Sequence, residues 1–216
     1  HLAEDSNYNK EKQYDMLSEY FRFLREYDLY DEAQAVCRRQ ISIAEKLFGL
    51  KHEKTAKSYN NLGTTCWQLG DYEKAFEYDS KALKIRKEVL GEEHPVTAES
   101  YNNIGSVYHK QGNYDMALRY HFKALAIRKN ILGIDHPDTA TSYSNIGEVY
   151  DEHGDYKKAL ESHNKALAIR KKVSDCNPAK TADSYNNIGL VYLGQGKYNV
   201  ALNYYRKALR IYEKDP

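Results

Sequence analysis

The chain has 216 residues, 41% of them hydrophobic and 29% charged, which is enough apolar material for a core and too much for a disordered chain. A formal net charge of +1 excludes a global field that would draw it onto nucleic acid, and no apolar run approaches the roughly 18 residues of a membrane span. Cys37, Cys66 and Cys176 contain no Cys-x-x-Cys pair, which argues against a disulfide framework or a zinc site and for reduced thiols in a cytoplasmic protein.

Residues 1–11 are polar rather than signal-like and are expected to form an N-terminal tail, disordered or left over from cloning. Residues 12–48 read as a degenerate first repeat or cap. Leu17, Phe21, Asp28, Tyr30, Ala33, Ile41 and Ile43 stand there where Tyr, Gly, Gly, Tyr, Ala, Leu and Ile stand in later units. From there a step of 42 residues governs the chain, linking Tyr59, Tyr101, Tyr143 and Tyr185. The same step links Gly63, Gly105, Gly147 and Gly189, then Gly70, Gly112, Gly154 and Gly196, and then Ala75, Ala117, Ala159 and Ala201. A fixed period of this size marks a stack of like supersecondary units, placed at 54–90, 96–132, 138–173 and 180–215.

Within one unit, Tyr101, Ile104, Gly105 and Tyr108 recur at helical spacing, and Ala117, Tyr120, Ala124, Leu125 and Ile127 do so again. Gly112-Asn113 between the two runs ends one helix and caps the next, so each unit is an antiparallel helical hairpin. In His94-Pro95 and His136-Pro137 the proline suits the first turn of a helix, where its missing N–H costs little. The fourth such loop departs, reading Asp175-Cys176-Asn177-Pro178. The small Gly and Ala columns let helices approach, and Tyr, Leu and Ile columns fill the space between. The last unit would lack a covering helix, leaving Tyr204, Tyr205, Ile211 and Tyr212 partly exposed, so a missing neighbour or a homo-oligomer through this repeat is expected.

The run Tyr-Asn-Asn-Ile-Gly-x-Val-Tyr-x-x-x-Gly-x-Tyr-x-x-Ala-Leu, clearest from Tyr101 to Arg128 and again from Tyr185, resembles the tetratricopeptide repeat. A period of 42 rather than about 34, with Arg86-Lys87 or Arg128-Lys129 followed by Leu-Gly and His-Pro, resembles the kinesin light chain type of that repeat. The resemblance implies an all-α, right-handed α-solenoid of antiparallel hairpins, whose first helices line a concave groove that holds a cargo peptide. It implies an adaptor or scaffold and no enzyme.

On that implication the candidate groove residues are the polar columns of the first helices. They are Lys57, Glu99, Thr141 and Asp183; Asn60, Asn102, Ser144 and Asn186; Asn61, Asn103, Asn145 and Asn187; and Thr64, Ser106, Glu148 and Leu190. A turn later come Trp67, His109, Asp151 and Leu193. Amides can pair with the backbone of an extended peptide whatever its sequence, or else bond to neighbouring helices and stabilise the stack. Trp67 reads either as an aromatic anchor or as core beside Cys66. The basic columns that clamp a terminal carboxylate in some relatives are missing here, leaving Lys57 and the Asn column. Arg22, Arg25 and Lys57 suit an acidic ligand segment, while Asp138, Glu148, Asp151 and Glu152 suit a basic one.

No other chemistry stands out from the repeat. His52, His94 and His136 recur once per unit and read as structural, with no metal-ligand spacing. Gly194-Gln195-Gly196-Lys197 lacks the first glycine of a phosphate loop, since Val191 holds that place. No cofactor, metal, nucleic acid or membrane insertion is expected. The partner is a protein or peptide, with end-to-end self-association as the alternative.

Overall fold

The computed structural model describes residues 2–173 and 178–213, which leaves Cys176 and most of its loop outside the described residues. Among the described residues there are ten α-helices and no strand. They fall into two compact units, residues 1–111 and 112–216. Unit 1 holds α1 (Leu2–Glu26), α2 (Tyr30–Phe48), α3 (Glu53–Gln68), α4 (Tyr72–Val89) and α5 (Pro95–Lys110). Unit 2 holds α6 (Tyr114–Ile131), α7 (Pro137–Glu152), α8 (Tyr156–Lys172), α9 (Pro178–Gly194) and α10 (Tyr198–Tyr212).

The turns inside the hairpins follow from two residues. Gly70 and Gly154 have φ of 77° and 83°, a left-handed conformation open to glycine at little cost. The next residue, Asp71 or Asp155, then accepts a hydrogen bond from the backbone N–H of Lys74 or Lys158 at 3.2 Å and caps the second helix. In the degenerate first unit Asp28 takes the glycine's place at φ 56°, a region that Asp tolerates better than most residues.

The histidines of the inter-hairpin loops have a physical role that the repeat pattern alone left unspecified. His52, His94 and His136 are N-caps, each Nδ1 accepting the N–H two residues on, from Lys54, Val96 and Asp138, at 3.1 Å. Pro95 and Pro137 follow at the first helical turn, as expected. Thr55, Thr97 and Thr139 donate to the carbonyls of Gly49, Gly91 and Gly133 at 2.7 to 2.8 Å, which ties each loop to its helix.

α1 begins at Leu2, so helix runs through the residues expected to be a tail. No proline or glycine interrupts 2–26, and Lys10, Glu11, Lys12 and Gln13 are good helix formers. Among the described side chains of α1 the first buried one is Tyr14, 2% exposed, followed by Phe21 and Leu24 on the same face.

Within each unit every helix packs on its neighbours in the chain, and the first helices also touch each other, α3 with α5 and α7 with α9. The unit 1 core joins Phe21, Leu24, Val36, Cys37, Leu62, Cys66, Ala75 and Val107. Both cysteines are free and buried, and burial pushes the Cys37 thiol up to about 12. Glycines in the first helices take the closest contacts. A Cβ at Gly147 would meet the His163 ring at 2.6 Å, and one at Gly189 the Tyr205 ring at 2.6 Å.

An arginine near the end of α4, α6 and α8 bolts each of these helices to the following hairpin. Arg128 donates to Ser142 Oγ at 2.9 Å and to the Asp138 carbonyl at 3.3 Å, and Arg170 repeats this with Ser184 at 2.6 Å and Lys180 at 3.2 Å. Arg86 does the same in unit 1, with Ser100 Oγ at 2.7 Å and the Val96 carbonyl at 3.1 Å. Guanidinium suits this role because one rigid fork serves several acceptors at once.

Candidate functional site

The inward face of α4 explains the shape of the site in unit 1. Its buried residues are Ala75, Asp79, Ala82 and Arg86, spaced four, three and four apart, so one stripe carries two small residues and two charges. The alanines let α4 lie close to α3, and the charges enter the layer behind the first helices. Gly63 of α3 makes the space for one of them, since a Cβ there would stand 2.8 Å from the Asp79 carboxyl carbon.

Arg86 is 3% exposed and organises the floor of a groove. Besides Ser100 and the Val96 carbonyl it donates to Asn60 Oδ1 at 3.0 Å, and its Nη2 lies 3.2 Å from Glu99. Asn103 also donates to Asn60 Oδ1, at 3.1 Å, so one buried amide oxygen joins α3, α4 and α5. The groove above has a volume of about 520 Å³ and is lined by Arg25, Glu53, Lys57, Asn60, Asn61, Thr64, Arg86, Val96, Glu99 and Asn103. Next to it, sharing Thr64 and Asn103, lies a cavity of about 180 Å³ completed by Trp67, Gln68, Asp79 and Ser106.

Asp79 is 1% exposed, and its Oδ1 has no hydrogen-bond partner. Burial pushes its carboxyl up to about 7, against the opposing pull of the Asn103 amide and the Arg86 charge. Burial likewise lowers the Arg86 guanidinium, countered first by Glu99.

The expected groove residues divide by position. Lys57, Asn61, Thr64, Glu99 and Asn103 line the groove with polar atoms at or near the surface, and Trp67 and Ser106 line the cavity. Asn60 also lines the groove but is 7% exposed and committed to Arg86 and Asn103, so it braces the stack. Asn102 is half-buried and His109 is buried; neither lines these spaces. Trp67 lines the cavity and also packs on the unit 1 core.

In unit 2, Ser144 is buried, and Asn187 donates to it and to Glu148, both at 3.3 Å. Thr141 turns back to the Pro137 carbonyl, and Asp183 accepts from Tyr212 at 2.8 Å. Asn145 and Asp151 are half-buried, whereas Asn186 and Leu190 are exposed. Desolvation, then Glu152, raises the Asp151 carboxyl above its ordinary range.

Several site residues escape a reading confined to the polar columns of the first helices. Arg86 and Asp79 come from the second helix, and Glu53 and Val96 from the first turns of α3 and α5. The signal for the first two was present, because positions 75, 79, 82 and 86 fall on one helical stripe with the recurrent alanines. Arg86 also bears on the reading that too little positive charge meets a carboxylate here. Arg25, Lys57 and Arg86 line one groove, although Glu53 and Glu99 stand beside them. Arg22, expected with them, is exposed and paired with Glu19.

Among the described residues no group of histidine, cysteine and acidic side chains could hold a metal, and no helix is long and apolar enough to cross a membrane. No curated protein matches the chain. BtubC (BKLC) from P. vanneervenii superposes with a TM-score of 0.81 at 24% identity, over 99% of this chain and 85% of that one. A kinesin light chain-like protein from Podosopora anserina, with nearly identical TPR-like repeats, gives 0.74 at 20% identity over 94% of this chain and 96% of that one. Apo RapI gives 0.75 at 26% identity over 94% of this chain and 71% of that one. Tetratricopeptide repeat models match residues 22–88, 66–130 and 97–172, and a further one matches 181–214. With most of its length matched and its hairpin fold shared with these structures, the chain belongs to the tetratricopeptide repeat family.

Proposed function

We propose that the protein is an adaptor or scaffold that holds an extended peptide segment of a partner in the unit 1 groove. Tetratricopeptide repeats mediate protein–protein interaction and are generally not enzymes. The observation that carries the reading is the 520 Å³ groove itself, where Lys57, Asn61 and Glu99 stand at its surface over a floor braced by Arg86 and Asn60. A pre-organised polar trough loses little entropy on binding, and its amides serve the backbone of any extended ligand. Arg25 and Lys57 favour an acidic residue on that ligand. Nucleic acid lies outside this reading, because a net charge of +1 supplies no attractive field for a polyanion.

Micromolar affinity, about −8 kcal/mol, is expected for a short peptide engaging a groove of this kind. Titration of fluorescent peptides with acidic residues, against the parent and the Lys57→Ala and Asn61→Ala proteins, tests it. Each substitution should weaken binding several-fold while leaving the thermal unfolding temperature unchanged. Unaltered binding by both variants would remove the groove from the account.

A second reading, self-association, is favoured by the outer face of α10. Leu202 and Leu209 are 46% and 54% exposed. Tyr204 and Tyr205, expected to lead that contact, are half-buried: Tyr204 stacks on Tyr192 with ring centroids 5.5 Å apart, and Tyr205 packs over Gly189. Light scattering over a concentration series decides it, since a monomer throughout excludes this reading.

A further inference from the structure

The 180 Å³ cavity beside the groove is too small for a cofactor, for which roughly 300 Å³ is the lower limit, yet large enough for the end of a side chain. Its wall is rich in hydrogen-bond acceptors. Thr64 spends its hydroxyl proton on the Asn60 carbonyl at 3.0 Å, and Ser106 spends its own on the Asn102 carbonyl at 3.2 Å. The Asn103 amide nitrogen is turned to Asn60, which leaves its carbonyl oxygen as an acceptor. Asp79, which lines the cavity, adds a carboxyl whose Oδ1 is buried without a partner. Apart from the Trp67 N–H and the exposed Gln68 amide, the wall therefore presents acceptors.

We propose that this cavity is a specificity pocket for the ammonium group of a lysine side chain carried by the groove-bound peptide. The inference rests on the groove reading and adds the identity of one ligand residue. An ammonium carries three donors and no acceptor, which matches the wall, and its charge compensates a carboxylate whose Oδ1 is otherwise buried alone. The Trp67 indole forms one side, and an aromatic surface stabilises a cation in a desolvated site. The Trp67 N–H is itself buried without a partner and requires an acceptor. A peptide lysine brings a backbone carbonyl as well as the ammonium, which favours it over a free amine. Because the cavity and the groove share Thr64 and Asn103, a lysine in the pocket sets neighbouring ligand residues beside Arg25 and Lys57.

Trp67 is the chain's single tryptophan, so its fluorescence reads the pocket directly. n-Butylammonium should change that fluorescence saturably, whereas n-butanol at equal concentration should not. The Asp79→Asn protein should bind butylammonium at least about tenfold more weakly, the scale expected for a lost charged partner. A lysine-containing peptide should bind more tightly than its Nε-acetyl-lysine counterpart by a similar factor, and at lower concentration than butylammonium. From about pH 8 to about pH 6 affinity should fall roughly tenfold, as the Asp79 carboxyl takes up a proton while the ammonium stays charged. The other charges acting on Asp79 are Arg86 and Glu99. Equal response to ammonium and alcohol, or full binding by the Asp79→Asn protein, overturns the pocket. If lysine and acetyl-lysine peptides bind equally well, the pocket fails while the groove stands. If no peptide binds but butylammonium does, the groove reading fails instead.

Discussion

Asp79 makes the stability of unit 1 depend on pH in a direction unusual for a carboxylate. Its ordinary value is 3.8, and burial pushes it up to about 7, a rise of roughly three pH units. Between those values the unfolded chain has released the proton and the native chain still holds it. The native state then binds more protons, so stability declines as pH rises from about 4 to about 7 and levels off above. At about 1.36 kcal/mol per unit the decline attributable to this group reaches about 4 kcal/mol. The Asp79→Asn substitution keeps the shape and removes the ionisation. The variant should match the parent near pH 4 and exceed it by up to about 4 kcal/mol near pH 8. Urea unfolding of both proteins at the two pH values measures the difference. Trp67 fluorescence reports the repeat that carries Asp79, and circular dichroism reports the whole array, because repeats can unfold separately. A stability difference between the two proteins that is the same at both pH values would refute the reasoning.

Unit 2 should show the opposite slope through His163, which burial, then the Arg170 charge, lowers from 6.5 to about 4. Stability is lost as pH falls through that window, by up to about 3 kcal/mol, and the His163→Gln protein should lack this acid-limb loss in a pH series of unfolding curves. Replacing Arg128 with Met should lower stability by about 1–3 kcal/mol, since Ser142 Oγ and the Asp138 carbonyl lose a charged donor; differential scanning calorimetry reads the shift. Gly147→Ala sets a methyl group 2.6 Å from the His163 ring and should cost about 1–3 kcal/mol by overpacking, seen as a lower urea midpoint.

The local structure was legible in the chain because its causes are local. Positive φ at Gly70 and Gly154, the caps at Asp71 and Asp155, and Pro95 and Pro137 at helix starts all follow from residues within a turn of one another. The period of 42 then repeats the hairpin and dictates an all-α array. Which polar columns face a ligand was not legible, because a repeat states what recurs and not what meets. Asn60 and Asn103 bond although 43 residues apart, and Arg86 reaches under the first helices from the second. Asp79 shows both sides at once. Its spacing from Ala75 and Ala82 announces burial, while its charge suggests solvent, and only the packing of α4 against Gly63 decides between them.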